Sequence, residues 1–323
     1  MRKPGLFLTV SLISRMVKRF SYEKEAGSVR KPRWVFPRAV PIAGGHEVRK
    51  LLRDLEVSTV CESARCPNRG ECFGEQTATF LILGRSCTRR CGFCAVHKGC
   101  PEAPDPGEPG AVAEAVRRLG LDFVVVTSVT RDDLPDGGAG VFAEVIGEIR
   151  HRNPGIRMEV LVPDFGGRTG SLETVLAAAP EVLNHNVETV PRLYPAVRAG
   201  ADYGRSVELL RRAAEAVPVA KSGMMLGLGE KRGEVVDVMR DLARAGCRSL
   251  TLGQYLQPTR ENLDVSRYLE PREFEDLARE GRNMGIERVV AGPLVRSSYR
   301  AGEVYAGLVS ARDEAHPEMA GKL

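Results

Sequence analysis

From Thr77 onward, apolar and β-branched residues gather into short runs at regular intervals: Thr77 to Leu83, Phe123 to Ser128, Met158 to Val162, Val182 to Asn184, Val219 to Leu226, Ser249 to Leu252 and Arg288 to Ala291. Bounded runs of this length and composition predict strands. They are continuous rather than alternating, the pattern of strands buried on both faces in a parallel sheet covered by helices. Between most of them the period becomes helical. Val112, Ala115, Val116 and Leu119 share one face, as do Phe142, Val145, Ile146 and Ile149, and Val235, Val236, Met239, Leu242 and Ala243. Six or seven βα units at this spacing predict an α/β fold, either a full or partial (β/α) barrel or a doubly wound open sheet. No glycine-rich fingerprint follows the first strand; cysteines stand there instead. Polar groups at Thr127-Ser128, at Asn184-His185-Asn186-Val187-Glu188 and at Gly253-Gln254-Tyr255 fall at or just past the C-terminal ends of predicted strands. That is the rim on which a barrel carries its chemistry, although any one of them also reads as a loop or helix-cap residue.

Composition narrows the class. At 323 residues, with 43% hydrophobic and 28% charged side chains, the chain can bury a full core and is neither disordered nor fibrous. The net charge is +5, yet residues 1–40 alone carry ten basic and two acidic groups. The folded body is therefore not basic, which excludes a broad nucleic-acid-binding face. No apolar run reaches the ~20 residues of a membrane span. The first 20 residues are basic and lack acids, and Leu6 to Ile13 is apolar; no A-x-A-like cleavage site follows, and Met16 is an alternative start. The expectation is a cytoplasmic protein with a poorly regular basic arm, with an organelle presequence left open.

Eight cysteines stand at 61, 66, 72, 87, 91, 94, 100 and 247, six of them within 34 residues. Dense cysteine in a chain with no convincing secretion signal points to metal rather than disulfides. Cys87-Thr88-Arg89-Arg90-Cys91-Gly92-Phe93-Cys94, a CxxxCxxC directly after the first barrel strand, offers three thiolates to a cubane [4Fe–4S] cluster and leaves one iron open. Zinc would favour four ligands in paired elements. The segment resembles the motif of the radical S-adenosylmethionine superfamily, in which the open iron binds the amino and carboxylate groups of S-adenosylmethionine and reduction cleaves it to a 5′-deoxyadenosyl radical. A second triad, Cys61, Cys66 and Cys72, is spaced CxxxxCxxxxxC, with Pro67 and Gly70 as turn breakers. Its polar surroundings suit three ligands wrapping another cluster.

Together the triads make the chain similar to the lipoyl synthase family, from about Arg30 to Ala301. Thr77-Ala78-Thr79-Phe80, Thr127 through Ala139, Val182 through Thr189, Gly227-Leu228-Gly229-Glu230, Gly253 through Pro258 and Arg296-Ser297-Ser298-Tyr299 carry the likeness further. The resemblance implies two [4Fe–4S] clusters and S-adenosylmethionine. Cys87, Cys91 and Cys94 would hold the first cluster; Cys61, Cys66, Cys72 and Ser298, with Ser297 as fallback, would hold the second. A hard oxygen suits such a cluster less well than thiolate, which points to a ligand meant to leave. The implied reaction is insertion of two sulfur atoms at carbons six and eight of an octanoyl chain on a lysine of a carrier protein, either the glycine cleavage H protein or an E2 lipoyl domain of a 2-oxoacid dehydrogenase. A low-potential electron donor and an iron–sulfur carrier that rebuilds the second cluster are implied partners. Nucleic acid and membrane are not.

For S-adenosylmethionine, Glu188 is a candidate for the ribose or ammonium, Asn186 with Thr127 or Ser128 for polar edges, and Arg205 for the carboxylate. His185 and Lys221 read as structural, and Cys100 and Cys247 as spare thiols. The expected fold is a partial (β/α)6-type TIM barrel whose Cys-bearing N-terminal and Ser-bearing C-terminal extensions close over its mouth. The expected divisions are an arm over 1–45, an auxiliary-cluster extension over 46–76, the barrel over 77–291 and a C-terminal extension over 292–323. Three alternatives stay open: another sulfur-inserting radical enzyme, a ferredoxin-like electron carrier whose irons would all be ligated, and a zinc-stabilised interaction module.

Overall fold

The computed structural model describes residues 30–36 and 45–315. Most of the expected basic arm, and residues 316–323 of the expected C-terminal extension, lie outside them. The strands are β1 (Ser58–Thr59), β2 (Thr79–Ile82), β3 (Ser86–Cys87), β4 (His97–Lys98), β5 (Phe123–Ser128), β6 (Arg157–Leu161), β7 (Val182–Asn184), β8 (Val219–Leu226), β9 (Ser249–Gln254) and β10 (Arg288–Gly292). The helices are α1 (Gly45–Asp54), α2 (Val60–Ser63), α3 (Arg69–Gly74), α4 (Glu108–Leu119), α5 (Ala139–Arg152), α6 (Thr169–Ala177), α7 (Tyr194–Val197), α8 (Tyr203–Ala216), α9 (Arg232–Arg244), α10 (Pro271–Asn283) and α11 (Ala301–Ala315). None of the described helices is long and apolar enough to cross a membrane.

Eight strands form one sheet in the order β1-β2-β5-β6-β7-β8-β9-β10, and only β1 runs antiparallel to its neighbour. Seven parallel strands with helices between them make the partial barrel that the family resemblance implies, one of the two folds open to the apolar runs, and β3 and β4 pair separately. The helices end where their chemistry dictates. Helix α4 starts with Glu108 and Pro109 and closes on Gly120 in the left-handed region, with Arg117 and Arg118 in its last turn facing the dipole. Asp202 caps α8 by accepting the Arg205 N–H. Their apolar faces bury Val112, Ala115, Val116, Leu209, Leu210 and Ala213 against the strands.

The inner face of the barrel is unusually polar. Thr79 aligns with Val125, Val125 with Glu159, and Glu159 with Val182. Glu159, Asn184, Lys221, Ser249 and Thr251 are all buried. Where a packed barrel would carry bulky side chains, β9 has Gly253, and a Cβ there would stand 2.2 Å from the Val295 carbonyl oxygen. The C-terminal segment thus occupies space that side chains would otherwise fill. Helix α11 then packs Val304, Tyr305 and Leu308 against Val182 and Val219, the first residues of β7 and β8.

Candidate active site

The chain leaves β2 through Leu83 and Gly84, both at positive φ, with the Glu108 carboxylate accepting both N–H groups at 2.7 and 3.4 Å. The CxxxCxxC loop that follows is fixed from two sides. Thr88 gives its N–H and hydroxyl to the Thr130 carbonyl at 3.1 and 2.9 Å, and the Thr130 N–H points at Cys87 Sγ, 3.4 Å away. Arg89 donates two bonds of 2.8 Å to Asp132 and one of 2.6 Å to the buried Asp164. Burial alone would raise the Asp164 carboxyl, but Arg89 outweighs it and holds it at about 2. On the other side, Asn262 donates to the Gly92 and Cys94 carbonyls at 3.1 and 3.0 Å. Burial raises the Cys91 thiol and pushes Cys94 up to about 12, and each feels Cys87 and Glu188. Three thiols on so short a loop are candidate cluster ligands, which binding would require to lose their protons.

The second triad is built from short pieces. Thr59 caps α2, which carries Cys61; the Cys66 N–H returns to the Cys61 carbonyl at 3.0 Å, and the Cys72 N–H bonds the Asn68 carbonyl at 3.0 Å. Burial pushes Cys61 up to about 11, with neighbouring Thr79 opposing, and pushes Cys72 up to about 12. Thr79 Oγ1 donates to Ser298 Oγ at 2.9 Å, so one residue adjoins both the triad and the serine. Three more contacts join the two extensions: Asn68 to the Leu294 carbonyl at 2.7 Å, Tyr299 Oη to Glu71 at 2.7 Å, and Arg300 to Glu71 at 3.6 Å. Ser297 points elsewhere, to Asn184 and Asn186. Of the two serines, Ser298 therefore lies beside the thiols. The extensions meet beside Thr79, the first residue of β2, while the same C-terminal turn also reaches Asn184 and Asn186 at and just past the end of β7. Four residues of strand, about 13 Å, part Thr79 from Leu83.

The candidate S-adenosylmethionine residues divide by what their polar atoms already do. Thr127 spends its hydroxyl on the Leu161 carbonyl at 2.9 Å, whereas Ser128 Oγ is buried with no partner among the described residues. Glu188 sits at φ +65°, locked by backbone bonds to Gly223 and Met225 of β8, and accepts from Asn186 Nδ2 at 3.1 Å. A non-glycine residue held there stores strain of about 1 kcal/mol or more, the kind found at ligand clamps. Burial raises its carboxyl, with Arg198 opposing. Arg205 meets Asp164 at 3.2 Å, joining the Arg89 network. His185 bonds the Val162 carbonyl and Ser206, and Lys221 bonds Glu159, both structural arrangements. Cys247 is buried and Cys100 exposed, and both are free.

Sequence reasoning missed Arg198, a buried cation over the Tyr194 ring that acts on Cys91 and Glu188. It also missed Asp164 and Asn262. Asp164 stands three residues past the end of β6, so the rim rule could have found it. Arg198 and Asn262 lie in irregular segments and carry no such signal. The site fits the implied groups: an orphaned hydroxyl at Ser128, a strained carboxylate beside three thiols, and a second set of three thiols with a hydroxyl alongside.

Comparison with known proteins agrees. Residues 81–242 match the model of the radical SAM superfamily. The lipoyl synthase of Koribacter versatilis is 55% identical over 275 residues, 84% of this chain and 90% of that protein. That of Citrifermentans bemidjiense is 53% identical, covering 84% and 94%. Among solved structures, Streptococcus suis SuiB bound to the precursor peptide SuiA superposes with a TM-score of 0.52 at 10% identity, covering 69% of this chain and half of that longer one, a likeness of fold alone. By its two cysteine triads, its barrel and these relatives, the chain belongs to the lipoyl synthase family of the radical S-adenosylmethionine superfamily.

Proposed function

We propose that the chain inserts two sulfur atoms, at carbons six and eight, into an octanoyl chain borne on a lysine of a lipoyl-carrier protein. As a radical SAM protein it works with a [4Fe–4S] cluster and S-adenosylmethionine. Cys87, Cys91 and Cys94 hold that cluster; Cys61, Cys66, Cys72 and Ser298 hold a second one, the sulfur source. Bound together, these groups supply a carbon radical strong enough to open an unactivated C–H bond, and the sulfur that replaces the hydrogen. No side-chain acid or base could open such a bond at neutral pH. The observation that carries the reading is Thr79, which hydrogen-bonds Ser298 and stands beside the Cys61 thiol.

The protein's own part is binding and orientation. Arg89, Thr88 and Asn262 hold the CxxxCxxC loop in one geometry, and Arg198 places a fixed positive charge near Cys91. Ser128, Asn186 and Glu188 offer a hydroxyl, an amide and a carboxylate for the polar groups of S-adenosylmethionine, while Arg205 is tied to Asp164 and Thr127 to Leu161. Carriers of the H-protein or E2 lipoyl-domain type are the substrates, a low-potential donor provides electrons, and an iron–sulfur carrier rebuilds the second cluster; the setting is the cytoplasm.

Anaerobic reconstitution should give about eight irons and eight sulfides per chain. With S-adenosylmethionine, reductant and an octanoyl-lysyl peptide, mass spectrometry should find 5′-deoxyadenosine and a lipoyl-lysyl product. Saturation at about four irons would remove the second cluster, and preferential zinc binding would remove the whole reading.

A further inference from the structure

The two serines of the Arg296–Tyr299 turn have different surroundings. The Tyr299 N–H closes the turn on the Arg296 carbonyl at 3.0 Å, leaving Ser297 and Ser298 at its two central positions. Ser298 meets Thr79 on one wall of the barrel. Ser297 meets the opposite wall: its hydroxyl donates to Asn186 Oδ1 and accepts from Asn184 Nδ2, both at 2.8 Å. With donor and acceptor engaged, that oxygen is poorly placed to serve as a ligand.

The wall it grips is held firmly. Asn184 Nδ2 uses its other hydrogen on Glu159 Oε1 at 2.8 Å, and Lys221 Nζ reaches both Glu159 oxygens at 2.9 and 2.8 Å. Glu159 and Lys221 are each 1% exposed and Asn184 is fully buried. The Asn184 amide has one orientation, since its oxygen turned toward the Glu159 carboxylate would be repelled. Its Oδ1 is accordingly left without a partner among the described residues. An ion pair buried this deeply adds little stability over apolar packing, and its best-attested use is to fix one arrangement among several. The arrangement fixed here is the direction of Asn184 Nδ2, and through it the position of Ser297. Room for the contact comes from two glycines: a Cβ on Gly223 would lie 2.7 Å from Asn186 Oδ1, and one on Gly253 2.2 Å from the Val295 carbonyl.

We propose that Ser297 is a positioning residue: gripped by Asn184 and Asn186 on the buried Glu159–Lys221 pair, it sets the turn so that the next hydroxyl, Ser298, is presented to the Cys61, Cys66 and Cys72 site. This rests on the reading of Ser298 as a cluster ligand. It assigns Ser297 a separate task that a ligand motif alone does not.

The test uses the full-length chain with Cys87, Cys91 and Cys94 replaced by Ala, so that only the second cluster is loaded, and compares Ser297→Thr with Ser297→Val. The two side chains are alike in shape and differ in the hydroxyl. Mössbauer spectroscopy of 57Fe reads the oxygen-ligated iron as a site distinct from the thiolate-ligated three, and a chelator reads how fast iron leaves. Ser297→Thr should keep the distinct site, while Ser297→Val should lose it in most molecules and release iron about 10- to 100-fold faster, the range for residues that orient a metal ligand. Identical spectra and release rates for the two variants, whether both intact or both impaired, would overturn the proposal. Ser298→Ala is the control: if it leaves the distinct site untouched, the ligand reading itself fails, whereas loss in Ser298→Ala with no difference between the Ser297 variants condemns the positioning role alone.

Discussion

The two cysteine sites are put together in opposite ways. Around Cys87, Cys91 and Cys94 all three thiols come from eight consecutive residues, and the barrel grips that one loop through Arg89, Thr88 and Asn262. Around Cys61, Cys66 and Cys72 the local pieces are short helices, and the fourth group arrives from the other end of the chain, 219 residues from its partner Thr79. On the proposed reading, the first design holds three ligands and leaves a place for something to bind. The second closes with a group on a separate segment, and what holds a segment can also release it.

Emptying each site in turn should separate their roles most completely. With Cys87, Cys91 and Cys94 all changed to Ala, reductive cleavage of S-adenosylmethionine should fall to background. With Cys61, Cys66 and Cys72 changed instead, 5′-deoxyadenosine should still form while lipoyl product disappears. Lipoyl product from the second triple variant would show that its site does not supply sulfur.

The same contrast governs how much could be read beforehand. The parallel strands followed from apolar runs, since burial on both faces leaves a pattern in the sequence itself, whereas the choice of barrel over open sheet came from the family resemblance. The strands β1, β3 and β4 have two residues each and α2 has four, too few to carry a period. Both cysteine triads were visible as spacings. Which hydroxyl is available was not: Thr127 and Ser128 are adjacent, and only the register that brings the Leu161 carbonyl to Thr127 separates them. Ser297 and Ser298 are likewise told apart by a turn. Arg205 looked like a free carboxylate partner because Asp164, which meets it, lies 41 residues away.

Smaller perturbations should tell the sites apart by degree. Arg89→Gln removes the bidentate grip on Asp132 and the bond to Asp164, so retention of the first cluster should fall about 10- to 100-fold, while iron held by the second stays unchanged. Equal loss from both sites would mean that Arg89 serves the fold rather than the loop. Acid should act on the same half of the barrel. Burial, with Arg198 adding to it, holds the His185 pKa down at about 4. The folded state favours the neutral ring, so this contribution to stability is complete above about pH 6.5 and shrinks as pH falls toward 4, by at most about 1.4 kcal/mol per unit. Thermal unfolding of the cluster-free chain between pH 7 and 4 checks this, and His185→Gln should flatten the dependence. The smallest expected effect is on the clasp between the extensions. Tyr299→Phe deletes the bond to Glu71 and should cost about 1 kcal/mol. It should also speed iron loss from the second site, leaving S-adenosylmethionine cleavage as it was.

The distance along the chain between Thr79 and Ser298 has a temporal meaning. A ribosome adding about 5–20 residues per second needs some 10 to 45 s to travel from one to the other. Early in that interval the nascent polypeptide already displays six clustered thiols, but it still lacks both the hydroxyl at Ser298 and the Leu294 carbonyl that Asn68 will grip. Iron delivered too early would meet an incomplete set of donors. Assembly of the second site therefore belongs after termination, when the last part of the chain to be made has taken its place inside the first.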